Sequence, residues 1–277
     1  MNYLVTGAHG QLGNELKLLL GDKAIYAGSH ELDITDERAV AAFFQTCPFD
    51  FVINCAAYTA VDKAEDDPKL ADRINRLGPT LLARYGKHII QISTDYVFDG
   101  TAHLPYKEDD AVNPLSVYGS TKLAGENAVL AEAQTAVVIR TAWLYSSFGA
   151  NFVKTMRRLG AERDSLGVIV DQIGTPTYAA DLACAIVAML PQIKPGVRDV
   201  YHYTNEGVAS WYDFATVIMH ESGLSCTVRP LETGEYPTRA VRPAYSVLNK
   251  AKIRRDFGIA IPHWMDGLKR CLNALNG

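Results

Sequence analysis

Short runs of apolar, β-prone residues alternate with helical segments through residues 1–147. The runs occupy residues 3–6, 24–28, 51–55, 88–93 and 136–141. Strands and helices that alternate in this way form a parallel sheet with helices packed on both faces. We therefore predict an α/β fold built on a doubly wound parallel sheet of the Rossmann type.

The first run leads directly into a glycine-rich turn, Gly7-Ala-His-Gly10-Gln-Leu-Gly13. Glycines let the backbone approach a pyrophosphate, and a helix N-terminus offers it free N–H groups and a positive dipole end. The G-x-x-G-x-x-G spacing between a strand and a helix predicts a dinucleotide site at Gly7 and Gly10 rather than a plain βα turn. An amphipathic helix is predicted next, with an apolar side formed by Leu12, Leu16, Leu19 and Leu20.

Small and polar residues follow several of the other runs. In a doubly wound sheet, ligands bind beyond the carboxyl ends of the strands. The residues predicted to meet the glycine turn at that edge are Ala56, Ala57, Tyr58, Thr59, Thr94, Asp95, Tyr96 and Trp143. Thr59 is also predicted to cap the helix that follows it.

Tyr118 and Lys122 are four residues apart at the start of a predicted helix that begins at the same edge. Four residues is about one turn, so both side chains leave one face. An ammonium beside a phenol favours the phenolate, and we expect Lys122 to lower the pKa of Tyr118. The pair is either a proton donor with its partner or a solvated pair of the kind common on helix surfaces.

The residues after the second run bear on the choice of cofactor. An NAD-binding unit carries an acidic residue at the end of this strand to hold the ribose hydroxyls, but here the sequence is Gly28-Ser29-His30. With no carboxylate to repel a 2′-phosphate, NADPH is expected to bind, with NADH also possible. Asp33 is predicted either to reach the adenine end of the cofactor or to be a turn carboxylate.

The pattern loosens after residue 147. Helices are predicted near 152–159, 181–190 and 210–220, strands near 168–172 and 199–204, and a turn at 174–178. We predict a dinucleotide-binding domain at 1–147, to whose sheet the strands near 168–172 and 199–204 return. Residues 148–277 are predicted to form, for the most part, a smaller α/β substrate-binding region.

Composition argues against several classes of function. The net charge of −4 and the lack of a dense Lys/Arg run argue against nucleic-acid and membrane-surface binding. No apolar stretch approaches the ~18–20 residues that cross a bilayer, and we expect no secretory leader. The five cysteines are scattered, with no C-x-x-C pair. They predict reduced, buried thiols in a cytoplasmic protein rather than disulfides or a zinc site.

Several motifs together resemble those of the extended short-chain dehydrogenase/reductase family. They are the glycine-rich turn, Ser93-Thr-Asp-Tyr-Val-Phe-Asp-Gly100 and Tyr118-Gly-Ser-Thr-Lys122. Further matches occur at residues 52–65, 140–145, 174–183 and 242–249, so the resemblance spans nearly the whole chain. The family implies a Rossmann fold, a nicotinamide cofactor and a nucleotide-sugar substrate.

The resemblance implies hydride transfer from NAD(P)H to the 4-keto carbon of dTDP-6-deoxy-L-lyxo-4-hexulose, giving dTDP-L-rhamnose for carbohydrate biosynthesis. It implies that Tyr118 protonates the developing alkoxide, Lys122 holds the nicotinamide ribose and Thr94 hydrogen-bonds the carbonyl. It places Val61, Asp95, Tyr96 and Trp143 against the sugar. It places along the cofactor Gly10, Gln11, Leu12, Asp33, Ile34, Ala57, Tyr58 and Thr59.

Other expectations are less specific. Many members of the family carry an arginine where Ser29 stands, so preference for NADPH over NADH stays open. Some members bind Mg²⁺ at a homodimer interface, and both the metal and the homodimer are possible here, although no ligand residues can be assigned. The alternatives are another nucleotide-sugar reductase or epimerase of the family, or a non-catalytic NADP-binding subunit resembling the regulatory subunit of methionine adenosyltransferase.

Overall fold

The computed structural model describes residues 2–46 and 49–276. Its strands are β1 (Tyr3–Thr6), β2 (Ala24–Ala27), β3 (Phe51–Asn54), β4 (His88–Thr94), β5 (Thr135–Thr141), β6 (Leu144–Tyr145), β7 (Ser165–Ile169), β8 (Ile173–Gly174), β9 (Thr177–Tyr178), β10 (Arg198–His202), β11 (Ala209–Ser210) and β12 (Thr227–Leu231). Its α-helices are α1 (Gln11–Leu20), α2 (Glu37–Thr46), α3 (Val61–Asp66), α4 (Pro68–Asp72), α5 (Gly78–Gly86), α6 (Val117–Glu132), α7 (Phe152–Glu162), α8 (Ala179–Met189), α9 (Trp211–Glu221), α10 (Ala251–Phe257) and α11 (Trp264–Asn276).

Six strands form one parallel sheet in the order β10-β5-β4-β3-β1-β2. All residues of β1 and β5 are buried, as expected for continuous apolar strands covered on both faces. The chain passes from β1 to β2 on one side and then returns to β3 on the other. This reversal creates a crevice at the carboxyl ends of β1 and β3, where such sheets bind ligands. The predicted doubly wound α/β fold is confirmed.

Two apolar cores lie on the two faces of this sheet. One contains leucines of α1 together with the buried side of α8, and the other joins residues of α2, α5 and α6. Each fully buried leucine or isoleucine contributes roughly 1.5–3 kcal/mol to stability. The two cores therefore fix the strand ends that carry the site.

A third core lies in the C-terminal part of the chain, where α7, α9 and α11 pack together beside β7. The strand predicted near 199–204 is β10, which extends the main sheet beside β5. The strand predicted near 168–172 was expected to join the main sheet as well. This prediction is wrong, because β7 pairs with β12 in a separate two-stranded sheet. The division of the chain at 147/148 stays a prediction.

Some local predictions also need correction. Leu12, Leu16 and Leu20 are buried on α1, but Leu19 is 46% exposed. Ala60 rather than Thr59 precedes α3, and no side chain caps that helix. The predicted turn at 174–178 contains the two short strands β8 and β9.

The cysteines are only partly as predicted. The described ones are free thiols; Cys226 and Cys271 are buried, Cys55 is half-buried, and Cys184 is exposed. Cys47 lies outside the described residues. Across the described chain, no helix is both long and apolar enough to cross a membrane.

Candidate active site

The glycine-rich turn packs against the end of β3 at the crevice. Gly7 has a φ of +66°, and a Cβ there would lie 2.6 Å from the backbone nitrogen of Ala56. A Cβ on Gly13 would lie 2.5 Å from the carbonyl oxygen of Gly7. Only glycine fits at these two positions, so the turn holds α1 directly behind the crevice.

The start of α1 suits a phosphate group. The helix follows Gly10, no side chain caps its first turn, and that turn carries no acidic residue. Its first N–H groups therefore point out of the helix without a side-chain acceptor. A helix N-terminus of this kind binds anions, so the residues present fit the pyrophosphate of a dinucleotide.

Two cavities that share Gly7, Gly10 and Ala57 in their walls occupy the crevice, one of about 490 Å³ and one of about 360 Å³. The larger is lined by the predicted residues Gly7, Gly10, Gln11, Leu12, Ala57, Thr59, Val61, Thr94, Asp95, Tyr96, Tyr118, Lys122 and Trp143. The smaller is lined by Gly7, Gly10, Asp33, Ile34, Ala56 and Ala57. Tyr58 lines neither cavity.

Thr94, Tyr118 and Lys122 come together in the larger cavity. Thr94 is the last residue of β4 and is 5% exposed. Ser116 caps α6 by accepting a hydrogen bond from the N–H of Gly119. A Cβ on Gly119 would lie 2.2 Å from the carbonyl oxygen of Tyr96, so α6 starts in direct contact with the segment that follows β4.

The pKa of Tyr118 shifts in the direction opposite to that predicted. Burial raises it to about 12, Asp95 adds to the rise, and the side-chain hydrogen bond with Thr94 opposes it. The prediction of a lowered pKa for Tyr118 is therefore wrong, because burial dominates the shift. Tyr118 is therefore a neutral phenol at physiological pH.

Lys122 is held by the sheet rather than by Tyr118. Its Nζ donates a hydrogen bond to the carbonyl oxygen of Ile92 at 2.6 Å. Burial lowers the pKa of Lys122 to about 8, while the charges of Glu126 and Cys55 oppose the shift. The ammonium is thus fixed beneath the cavity but close to losing its proton in mildly alkaline solution.

Three buried polar atoms at the cavity have no hydrogen-bond partner among the described residues: Ser93 Oγ, Asp95 Oδ2 and Thr141 Oγ1. Burial raises the pKa of Asp95 to about 6, and the hydroxyls of Ser246 and Thr94 oppose the rise. An unpaired buried polar group is costly. A polar ligand that fills this part of the cavity satisfies these atoms.

Two stacked tryptophan rings, Trp143 and Trp211, form part of the wall of the larger cavity. Trp143 has a φ of +49°, a strained value for a residue with a side chain. Its ring stacks on Trp211 with the ring centres 3.6 Å apart. A Cβ on Gly174 would lie 2.7 Å from the Trp143 indole, so the ring lies flat between Gly174 and Trp211.

Two residues not predicted as site residues bear on the site: Trp211 lines the larger cavity, and Asn75 holds the backbone at Tyr58. Asn75 lies in a π-helical segment, Arg73–Leu77, that joins α4 to α5. Its amide binds the backbone N–H and carbonyl of Tyr58 and the hydroxyl of Thr121. Asn75 therefore holds the segment that follows β3 next to α6. The sequence alone does not show this role, because it depends on contacts with two separate segments.

Mg²⁺ binding was considered possible from the sequence, but the part of the chain that the structure describes shows no set of ligands for it. Across residues 2–46 and 49–276, no group of three or more His, Cys, Asp or Glu side chains is placed to hold a metal ion.

Comparisons with known proteins show the family of this chain. A family model described as the RmlD substrate binding domain matches residues 1–276. The dTDP-4-dehydrorhamnose reductase of Aggregatibacter actinomycetemcomitans is 41% identical, covering 96% of this chain and 96% of its own. The spore coat polysaccharide biosynthesis protein SpsK of Bacillus subtilis is also 41% identical, covering 97% and 96%.

Two solved structures share the complete fold. A dTDP-4-dehydrorhamnose reductase from Clostridium acetobutylicum superposes with a TM-score of 0.96 at 45% identity and covers all of both chains. The Bacillus anthracis enzyme of the same name, solved in complex with NADP, gives a TM-score of 0.94 at 37% identity over 99% and 100%. The chain therefore belongs to the RmlD family of dTDP-4-dehydrorhamnose reductases.

Proposed function

We propose that this chain reduces the 4-keto group of dTDP-4-dehydro-6-deoxy-L-mannose to give dTDP-L-rhamnose, with NADPH or NADH as the reductant. Membership of the reductase family supports the reaction. One structural observation carries the proposal: Thr94 and the neutral phenol of Tyr118 line the same cavity, which begins at the phosphate-binding turn. A carbonyl reductase needs a proton donor at that place.

The residues divide into three groups by their place in the two cavities. We assign catalysis to Thr94, Tyr118 and Lys122. We assign the cofactor to Tyr118 and Lys122 together with Gly7, Gly10, Gln11, Leu12, Asp33, Ile34, Ala56, Ala57 and Thr59, and Tyr58 supports this group through Asn75. We assign the sugar to Val61, Thr94, Asp95, Tyr96, Tyr118 and Trp143.

The proton step follows from the state of Tyr118. When bound, the reduced nicotinamide supplies the hydride that the carbonyl carbon accepts. As the carbonyl oxygen gains negative charge, Tyr118 donates its phenolic proton to it, and an O–H bond forms while the phenol becomes a phenolate. Thr94 hydrogen-bonds the same oxygen, and the nearby ammonium of Lys122 stabilises the phenolate until solvent returns a proton.

The pH dependence should reflect Lys122. Because burial lowers its pKa to about 8, the free enzyme loses this charge as the pH rises through that value. We expect kcat/KM for NADPH to fall about tenfold per pH unit above the midpoint. A pH profile from 6 to 10 tests this, and Lys122→Met should lack the alkaline limb. A wild-type profile that stays flat to pH 10 would refute the role of the charge.

The substrate is tested with a panel of dTDP-, UDP- and GDP-linked 4-keto sugars, each with NADPH and NADH. We expect the dTDP-linked sugar to cause rapid loss of the absorbance of the reduced nicotinamide. Turnover confined to another nucleotide would overturn the substrate but keep the reaction class. A tightly bound cofactor that is regenerated in each cycle would instead indicate an epimerase.

No described contact favours a non-catalytic NADP-binding subunit, and the presence of Thr94, Tyr118 and Lys122 in one cavity supports an enzyme. We also infer a cytoplasmic location. A homodimer, Mg²⁺ binding and the lack of nucleic-acid partners stay predictions.

A further inference from the structure

Trp143 has a backbone conformation that its large side chain opposes. It lies between the end of β5 and the start of β6, and its φ of +49° falls in the left-handed region. In the described part of the chain, the only other non-glycine residue with a positive φ is Lys87, which is exposed at the end of α5. Strain at a bulky residue persists only where the surrounding structure holds it in place. The contacts around Trp143 must therefore supply that hold.

Backbone hydrogen bonds account for the position of the chain here but not for the position of the ring. The carbonyl oxygen of Trp143 accepts a hydrogen bond from the N–H of Thr177 at 3.1 Å. The next carbonyl, that of Leu144, accepts one from the side-chain amide of Gln11 at 3.3 Å. Neither contact involves the indole, so its orientation depends on the side chains and backbone that pack against it.

The indole lies in a slot between Gly174 and Trp211. These two residues are held near each other because β8 pairs with β11, with Gly174 opposite Ala209, and Trp211 directly follows β11. The planes of the Trp143 and Trp211 rings differ by only 11°. A Cβ on Gly174 would lie 2.7 Å from the indole of Trp143. The slot therefore accepts a flat ring and leaves it little room to move.

Trp211 is itself held firmly. It is the first residue of α9, and the capping box before it joins the Ser210 hydroxyl to the Asp213 N–H at 3.0 Å and the Asp213 carboxylate to the Ser210 N–H at 2.9 Å. The ring of Phe152 on α7 packs against Trp211, with the ring centres 4.7 Å apart. Trp211 therefore fastens Trp143, at the edge of the main sheet, to the C-terminal core.

We propose that Trp211 is a positioning residue for the sugar: it holds Trp143 in its left-handed conformation, so that the two rings form one rigid wall. Both rings line the larger cavity, to which the sugar is assigned, and neither lines the smaller one. Trp211 acts on the sugar through Trp143. The inference rests on the proposed function only in taking the sugar as the ligand of this wall.

The hold on Trp143 is tested by crystal structures of two variants without cofactor or sugar. Trp211→Leu keeps an apolar side chain but removes the ring, and we expect Trp143 to leave the left-handed region and its indole to leave the slot. Trp211→Met carries the same prediction should Trp211→Leu not fold. Tyr212→Leu is the matched control, because Tyr212 is the next residue on α9 and lines neither cavity. It should leave Trp143 unchanged. A Trp143 that keeps its φ and its ring position without the Trp211 ring would overturn the proposal.

A double-mutant cycle tests whether Trp211 acts through Trp143. The Kd of dTDP-L-rhamnose should rise about tenfold in Trp211→Leu and in Trp143→Leu, the upper range for an aromatic pair. The double variant should also lose about tenfold, because each single change already removes the same wall. Trp211→Phe should recover most of the affinity, and the Kd of NADPH should stay within about threefold of wild type throughout.

Losses that multiply to about a hundredfold in the double variant would overturn the proposal, because Trp211 would then act independently of Trp143. In steady-state assays of Trp211→Leu, KM for the keto sugar should rise while kcat changes little. Wild-type protein that does not bind dTDP-L-rhamnose would refute the proposed substrate instead. The ligand-free crystal structures would still decide whether Trp211 holds Trp143.

Discussion

Replacing Tyr118 with phenylalanine is expected to lower kcat by about 10²- to 10⁴-fold, the range that a general acid contributes. The phenol is buried, and its pKa of about 12 keeps the proton in place until the carbonyl oxygen becomes basic. Phenylalanine keeps the ring and its edge-on contact with Tyr96 but removes the proton. Steady-state kinetics with saturating NADPH and the dTDP-linked keto sugar measure the loss.

Cofactor binding separates this result from a general disruption of the site. The Kd of NADPH for Tyr118→Phe should stay within about threefold of wild type, because the phosphate-binding turn and Lys122 are unchanged. Tyr85→Phe is a matched control, since the Tyr85 hydroxyl only binds Glu37 at the surface. A Tyr118→Phe enzyme with wild-type kcat would show that the proton comes from another group.

Replacing Arg140 with methionine is expected to lower the free energy of unfolding by about 3–5 kcal/mol, the usual cost of breaking a buried ion pair. Arg140 on β5 pairs with Glu126 on α6, at 2.8 Å between Nη2 and Oε2, and both side chains are at most 5% exposed. Three hydrogen bonds join the two groups. Without the guanidinium, the carboxylate of Glu126 is buried alone.

Urea unfolding of the single and double variants tests this explanation. Arg140→Met combined with Glu126→Leu should recover most of the lost stability, because no unpaired charge remains. A double variant as unstable as the single one would show that packing, not charge, is responsible. Glu126 also lies one turn beyond Lys122 and raises its pKa, so its loss should move the alkaline limb of activity to lower pH.

The fold was largely predictable because each main strand is a continuous apolar run. Such runs need burial on both faces, which a parallel sheet provides. The strand β7 was assigned to the wrong sheet because its partner, β12, is more than fifty residues away in the chain. Local pattern does not specify pairing at that distance. Leu19 was wrongly predicted to be buried for a similar reason: the side of α1 that is covered depends on tertiary packing, which the local sequence pattern does not specify.

The candidate site was predictable where a motif places a residue at a strand end or helix start. Thr94, Tyr118 and the glycine turn are of this kind, and they meet in one crevice. Trp211 was not predicted as a site residue because its position depends on a contact with the ring of Trp143, 68 residues (211 − 143) away in the chain. The predicted direction of the Tyr118 pKa shift was also wrong, because burial of the phenol, which the sequence does not show, raises the pKa.

Hydride transfer to C4 of a dTDP-linked keto sugar is the step that defines the proposed reaction. The most direct measurement incubates the enzyme with 4-deuterated NADPH and dTDP-4-dehydro-6-deoxy-L-mannose and examines the product by NMR. We predict dTDP-L-rhamnose with deuterium bound to C4 of the sugar and an exchangeable proton on O4. Unreacted sugar, or a product without deuterium at C4, would show that this chain does not catalyse the proposed reduction.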